Sequence, residues 1–115
     1  MKGILINPFD TTITEVNYTG DYKEICIFVG CTTFDCVRLY ETQDMYLDDE
    51  GLLKNNQMYF TINDRVYAGK ALLLSHDDEG ETKSTNLDLQ MVQDMVQFLP
   101  EGHIETPYME FRAWK

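Results

Sequence analysis

The sequence predicts an α+β fold: a mixed or antiparallel sheet of five or six strands, with one amphipathic helix on a face and a short helix at its edge. Three observations predict it. Short segments rich in β-branched and aromatic residues alternate at period two between turn residues, as in Thr11 to Tyr18 and Thr33 to Tyr40. Late in the chain the period changes, and Leu89, Val92, Val96 and Leu99 recur at helical spacing. Finally, 115 residues with 43% hydrophobic content suit one packed core, so residues 1–115 are read as a single domain.

Taken in order, Lys2 to Asn7 is an apolar run stopped by Asn7-Pro8 and makes a first strand. Thr11 to Tyr18 pairs with it. Asp21 then offers an N-cap, and Glu24 completes an Asp-x-x-Glu box ahead of Ile25, Phe28 and Val29. A short helix from Tyr22 to Val29 follows, ended by Gly30, which suits the left-handed turn past a helix end. Thr33 to Tyr40 and Asp44 to Asp48 are the next strands. Asp48-Asp49-Glu50-Gly51 is a turn in which Gly51 reverses the chain, and Leu52 and Leu53 return it to the core.

After the polar break Lys54-Asn55-Asn56, Tyr59 to Ile62 is a strand. Arg65 to Leu74 is read as one further strand, whose end Leu72-Leu73-Leu74 implies burial on both faces. His76 to Thr85 is a solvated loop carrying a second Asp-Asp-Glu-Gly turn at Asp77 to Gly80. Asn86 to Leu99 is the amphipathic helix, with Met91 and Met95 beside its apolar face. Pro100 to His103 ends it, and Tyr108 to Trp114 alternates as a closing strand or ordered arm.

Charge is the most unusual bulk property. Nine basic residues against 20 acidic give a net charge of −11, and residues 41–84 alone hold −6. That sign repels phosphates and anionic lipid, so direct nucleic-acid or membrane binding is disfavoured and basic partners are favoured. No apolar run approaches a membrane span, and the start MKGILINPF lacks a targeting pattern. The expected location is the cytosol.

Cys26, Cys31 and Cys36 are odd in number and follow a C-x4-C-x4-C spacing, which points to reduced thiols and not to a disulfide framework. The spacing is not that of a zinc knuckle, and His76 and His103 are remote. Neither Asp-Asp-Glu-Gly segment has the alternating acids and distal Glu of a calcium loop. The glycines are isolated, so no phosphate-binding loop exists; Ser residues are few, and His76 and His103 both fall in predicted loops, where nothing holds them beside a nucleophile. No metal, cofactor or catalytic residue is assigned, and an enzyme is not expected. The candidate partner-binding residues are instead the acidic turns, Asp48, Asp49, Glu50, Asp77, Asp78 and Glu79. Trp114 joins them because aromatic residues near a chain end are common interface anchors.

The stretch from Asp21 to Leu74 resembles the small phage- and plasmid-encoded proteins of domain-of-unknown-function family 3846. The resemblance rests on a helix ending in Val29-Gly30, a strand with Val37 and Leu39, the turn Asp49-Glu50-Gly51 with Leu52 and Leu53, Asn55 or Asn56, and Ala68-Gly69 before an apolar strand. Cys31 departs from the pattern, in which a second Gly usually follows Gly30. The resemblance implies a viral or mobile-element origin and lends no catalytic residues. With the charge, it leads to an expected function: a non-enzymatic accessory protein that binds and modulates a host protein with a basic surface. Inhibition of a defence nuclease by partial DNA mimicry is its sharpest form. The alternatives are a small-ligand-binding or nucleotide-sequestering homo-oligomer, and an uncharacterised enzyme.

Overall fold

The computed structural model describes residues 1–54, 57–100 and 102. Along them run β1 (Lys2–Asn7), β2 (Thr12–Asn17), α1 (Lys23–Val29), β3 (Phe34–Tyr40), β4 (Gln43–Asp48) and a 3-10 helix (Gly51–Leu53). After these come β5 (Tyr59–Ile62), β6 (Arg65–Ala68), β7 (Ala71–His76), β8 (Thr82–Lys83), α2 (Leu89–Met95) and β9 (Gln97–Phe98). The expected α+β class is found, and each of the strand pairings is antiparallel. The main sheet has the order β2-β1-β7-β4-β3, with β8 extending it alongside the end of β7. A small sheet has the order β6-β5-β9.

β7 occupies the centre because its sequence is apolar on both faces, which only a strand covered on both sides tolerates. Leu72, Leu73 and Leu74 are all fully buried. Ala71 and Leu73 join Ile4, Ile6, Met45 and Leu47 on one face, where the small sheet adds Phe60 and Ile62 and α2 adds Val92. Leu72 and Leu74 project to the other face and meet Tyr18 with Ile25 and Val29 of α1. The result is three layers: small sheet with α2, main sheet, and α1. The short helix therefore covers a face of the main sheet and not its edge, because Ile25 and Val29 can be buried only over the leucines of β7.

The α1 boundaries differ by one residue from expectation, and the cap differs in kind. Asp21 Oδ1 accepts from the Lys23 amide at 3.0 Å, but the Glu24 carboxylate reaches back to the Thr19 amide at 3.0 Å and not to Asp21. The carboxylate thus ties the helix start to the chain just past the end of β2. At the other end Gly30 takes the left-handed conformation (φ 75°), as predicted.

Four other expectations are corrected. Arg65 to Leu74 is two strands, one in each sheet, because Gly69 at φ 80° turns the chain between them, a conformation that L side chains resist. The two-residue turn Asn63-Asp64 that begins this unit has positive φ at both positions (53° and 62°), which matches the twist of the β5–β6 hairpin. His76 to Thr85 is not all loop, since Thr82 and Lys83 pair back onto His76 and Ser75. The long helix Asn86 to Leu99 shrinks to Leu89–Met95. Asp88 caps it by accepting from the Gln90 amide at 2.9 Å. Val96 is extended, and Phe98 pairs with Phe60 across the edge of β5. Pro100 disfavours helical Leu99, whose amide donates instead to the Tyr59 carbonyl at 3.0 Å.

The fourth correction concerns the turn after β4. Gly51 is buried, and its role is close approach: an added Cβ would sit 3.2 Å from the Ala68 carbonyl oxygen and 3.3 Å from its Cβ. Leu52 and Leu53 do not return to the core, and Leu53 is 67% exposed. The predicted arm Tyr108 to Trp114 lies outside the described residues.

A buried polar network fastens the chain ahead of α2. The Thr85 hydroxyl donates to Gln43 Oε1 at 2.7 Å and accepts from the Leu87 amide at 3.2 Å, while Gln43 Nε2 donates to Thr42 Oγ1 at 3.2 Å. Thr85→Val keeps the shape but leaves Gln43 Oε1 and the Leu87 N–H without this partner. The variant is expected to lose about 1–3 kcal/mol, read as a lower urea midpoint at unchanged slope.

Candidate functional site

The C-terminal end of α1 is where the fold collects exposed apolar groups, thiols and an ion pair. Cys26 lies in the last turn of α1, and its carbonyl accepts from both the Gly30 amide (2.7 Å) and the Cys31 amide (3.0 Å). These two bonds fold residues 30 and 31 over the helix end. Cys31 Sγ consequently lies 2.7 Å from Cys26 Sγ, both residues being half-buried. Burial, together with the hydrogen bond to Cys26, pushes the Cys31 thiol up to about 12. Beside the pair opens a recess of about 400 Å³ lined by Tyr22, Lys23, Cys26, Thr32, Thr33 and Phe34.

Lys54 closes the other side of this end. Its ammonium donates to the Gly30 carbonyl at 3.2 Å, which places a positive charge at the helix C-terminus, and it forms an ion pair with Asp48. Bonding to Asp48 raises the Lys54 pKa above its ordinary value. A second recess of about 200 Å³ runs between Phe9, Val29, Gly30 and the Asp48–Lys54 pair. On α1 and along the two recesses the fold leaves apolar side chains in solvent. Ile27 points away from the buried Ile25 and Val29 and is 78% exposed, Tyr22 is 64% exposed and Phe9 is 51% exposed. Leu53 precedes the lysine that bonds the helix end.

The acidic residues singled out in the sequence fall in two places. Asp48 is taken up by structure: its side chain is only 6% exposed, paired with Lys54, and accepts from the Glu50 amide at 3.0 Å. Asp49 accepts from the Thr33 hydroxyl at 2.8 Å, next to the larger recess, and Glu50 is exposed. The second turn closes on Asp77, whose carboxylate accepts from the Glu79 and Glu81 amides at 2.9 Å each. These bonds, that from Glu81 foremost, hold the Asp77 carboxyl below its usual range. Asp78 and Glu79 are exposed. Since Gln43 pairs with Ser75 and the strands are antiparallel, Asp48 and Asp77 sit at opposite ends of the β4–β7 ladder, roughly 20 Å apart at ~3.3 Å per residue. The structure does not bring the two turns together. Trp114 lies outside the described residues.

A third cluster lies on the α1 side of the main sheet, near the Asp77 turn. His76 Nδ1 is 2.6 Å from Asp44 Oδ2, and Asp44 is buried. Arg38 pairs with Asp44 across the β3–β4 ladder, and Cys36 pairs with Tyr46. A histidine oriented by a carboxylate is half of a nucleophilic constellation. The neighbouring thiol does not complete it, because burial raises the Cys36 pKa and Asp44 adds to that rise, whereas an activated cysteine needs the opposite. Burial likewise pushes the Tyr46 phenol up to about 12. Among the described residues no group of three or more His, Cys, Asp or Glu is placed to hold a metal ion, and no helix is long and apolar enough to cross a membrane.

Sequence reasoning missed the meeting of Cys26 and Cys31, although the signal was there. A C-x4-C spacing that straddles a helix-ending glycine brings residues five apart onto one helix end. It also missed the Asp44–His76 pair, which depends on the register of β4 against β7. No curated protein and no solved structure matches the chain. A family match does exist, and it covers the first strand through the start of β9, so all three layers described above are included. Matching over residues 1–97 of its 115, the chain belongs to the family described as a domain of unknown function, DUF3846.

Proposed function

We propose that the chain is a non-enzymatic accessory protein of a phage or other mobile element, acting by binding and modulating a host protein with a basic surface. The contact is made by the α1 end of the molecule. One observation carries the reading: exposed Tyr22 lines the larger recess with Thr33, whose hydroxyl bonds Asp49 of the acidic turn, and exposed Phe9 lines the smaller recess with Asp48 and with Lys54, which exposed Leu53 directly precedes. Apolar anchors rimmed by charge are the usual anatomy of a protein interface. The net charge of −11 selects a basic partner and speeds its encounter. The distance between the two acidic turns favours a local contact over imitation of a continuous run of DNA phosphates.

The test is affinity capture from host lysate at low and high salt, with the native chain, Leu53→Asp and the pair Asp49→Asn with Glu50→Gln. All these positions are exposed, so the variants keep the fold. The expected result is a basic protein retained by the native chain, released as salt rises, retained weakly by the acid-depleted variant and lost from Leu53→Asp. Equal retention by all three forms, insensitive to salt, overturns the reading, as does the absence of any specific partner.

A further inference from the structure

We infer that Cys26 and Cys31 form a thiol–disulfide exchange site, in which the recess beside them seats a low-molecular-weight disulfide of the glutathione class and exchange closes the two thiols into an intrachain disulfide. The geometry for closure is built into the helix end. Both the Gly30 and Cys31 amides bond the Cys26 carbonyl, the left-handed Gly30 reverses the chain, and the two sulfurs stand 2.7 Å apart. Little backbone movement separates that arrangement from a bonded pair, which is the main requirement for an intrachain disulfide. Two thiols in an apolar core would need no opening to solvent. Here Cys26 lines a recess of about 400 Å³, a volume suited to a small molecule.

The lining also fits the ligand class. The Lys23 ammonium offers a partner for a carboxylate of the peptide-like disulfide, the Thr32 and Thr33 hydroxyls offer hydrogen bonds, and Tyr22 and Phe34 give apolar walls. The roles of the two sulfurs follow from their placement. Cys26 lines the recess and Cys31 does not, so the Cys26 sulfur is the one that a seated small disulfide meets first. The thiolate of Cys26 attacks one sulfur of the small disulfide. A mixed disulfide forms on Cys26, and the displaced small thiolate takes up a proton. Cys31, whose thiol is held protonated by burial and by its neighbour, acts second. With Cys26 held as the mixed disulfide, the Cys31 sulfur attacks the Cys26 sulfur, its proton passes to the departing small thiolate, and the second small thiol is released. Two protein thiols are oxidised by two electrons, and one small disulfide is reduced to two thiols.

Cys36 provides an internal control, because it stands on β3 opposite Tyr46 and belongs to neither partner of the pair. The folded full-length chain is incubated with oxidised glutathione, its free thiols are alkylated, and its peptides are mapped by mass spectrometry. A Cys26–Cys31 linked peptide is expected, with Cys36 alkylated. In Cys31→Ser the glutathione adduct is expected to accumulate on Cys26, and in Cys26→Ser the adduct on Cys31 should form about tenfold more slowly. Lys23→Gln should slow the reaction with oxidised glutathione several-fold and leave that with neutral 2-hydroxyethyl disulfide unchanged. Preferential modification of Cys36 with Cys26 and Cys31 left free would overturn the inference. Failure of Cys31→Ser to trap an adduct on Cys26 would do the same. Equal rates for Lys23→Gln and the native chain with both disulfides would remove the recess as the seat of the reagent.

Discussion

Phe60→Ala is expected to destabilise the protein by about 3–5 kcal/mol, the usual cost of emptying a large aromatic site in a core. Phe60 is fully buried and is the residue through which the small sheet enters the main core, packed with Ile4, Ile6, Met45 and Leu73. Its ring also lies against Tyr67, with centroids 5.8 Å apart. Truncation removes contacts on two sheets at once, and neither can collapse into the space without the other shifting. Guanidinium unfolding followed by circular dichroism should show the midpoint falling with the slope retained. A loss below about 1 kcal/mol would mean that the two sheets are held together elsewhere.

Val92→Asp should be harsher still. Val92 is the one fully buried side chain of α2 and belongs to the same core cluster as Phe60. A carboxylate there would be desolvated, with no described cation in the cluster to pair with it, a situation that costs on the order of 3–5 kcal/mol before any lost packing is counted. The expected outcome is a chain without a cooperative thermal transition. Val92→Ala separates the causes: it should stay folded with a loss of about 2 kcal/mol, because it removes methyl groups without introducing charge. A cooperative, soluble Val92→Asp protein would show that α2 is not the clamp on this face of the sheet.

The elements that could be read from sequence are those whose pattern is local. Tyr59 to Ile62 and Lys2 to Asn7 were placed at their observed bounds, since a run of apolar residues closed by Asn7-Pro8 or by Asn63-Asp64 leaves few choices. Leu72 to Leu74 announced their burial by having no polar face. What failed was decided by tertiary competition. Val96 to Leu99 carries a helical pattern, yet the unpaired edge of β5 and the restriction from Pro100 draw it into a strand. Leu52 and Leu53 look like core residues, but a three-residue helix beginning at a buried glycine turns them outward. The candidate site was legible only in outline. The acidic turns formed as turns, whereas their separation, the ion pair that consumes Asp48 and the meeting of two cysteines all depend on register and helix-end geometry.

The central position of β7 also fixes a timetable. β1 and β2 can pair early, as can β3 and β4, yet each hairpin finds its neighbour in the main sheet only through residues 71–76. On a ribosome extending the chain at roughly 5–20 residues per second, the two hairpins therefore wait several seconds with their apolar faces uncovered. Contacts so distant in sequence close slowly, which places folding in the millisecond-to-second class after β7 has emerged. A chaperone that shields Ile4 and Ile6 during that interval would act on a need written into the strand order itself.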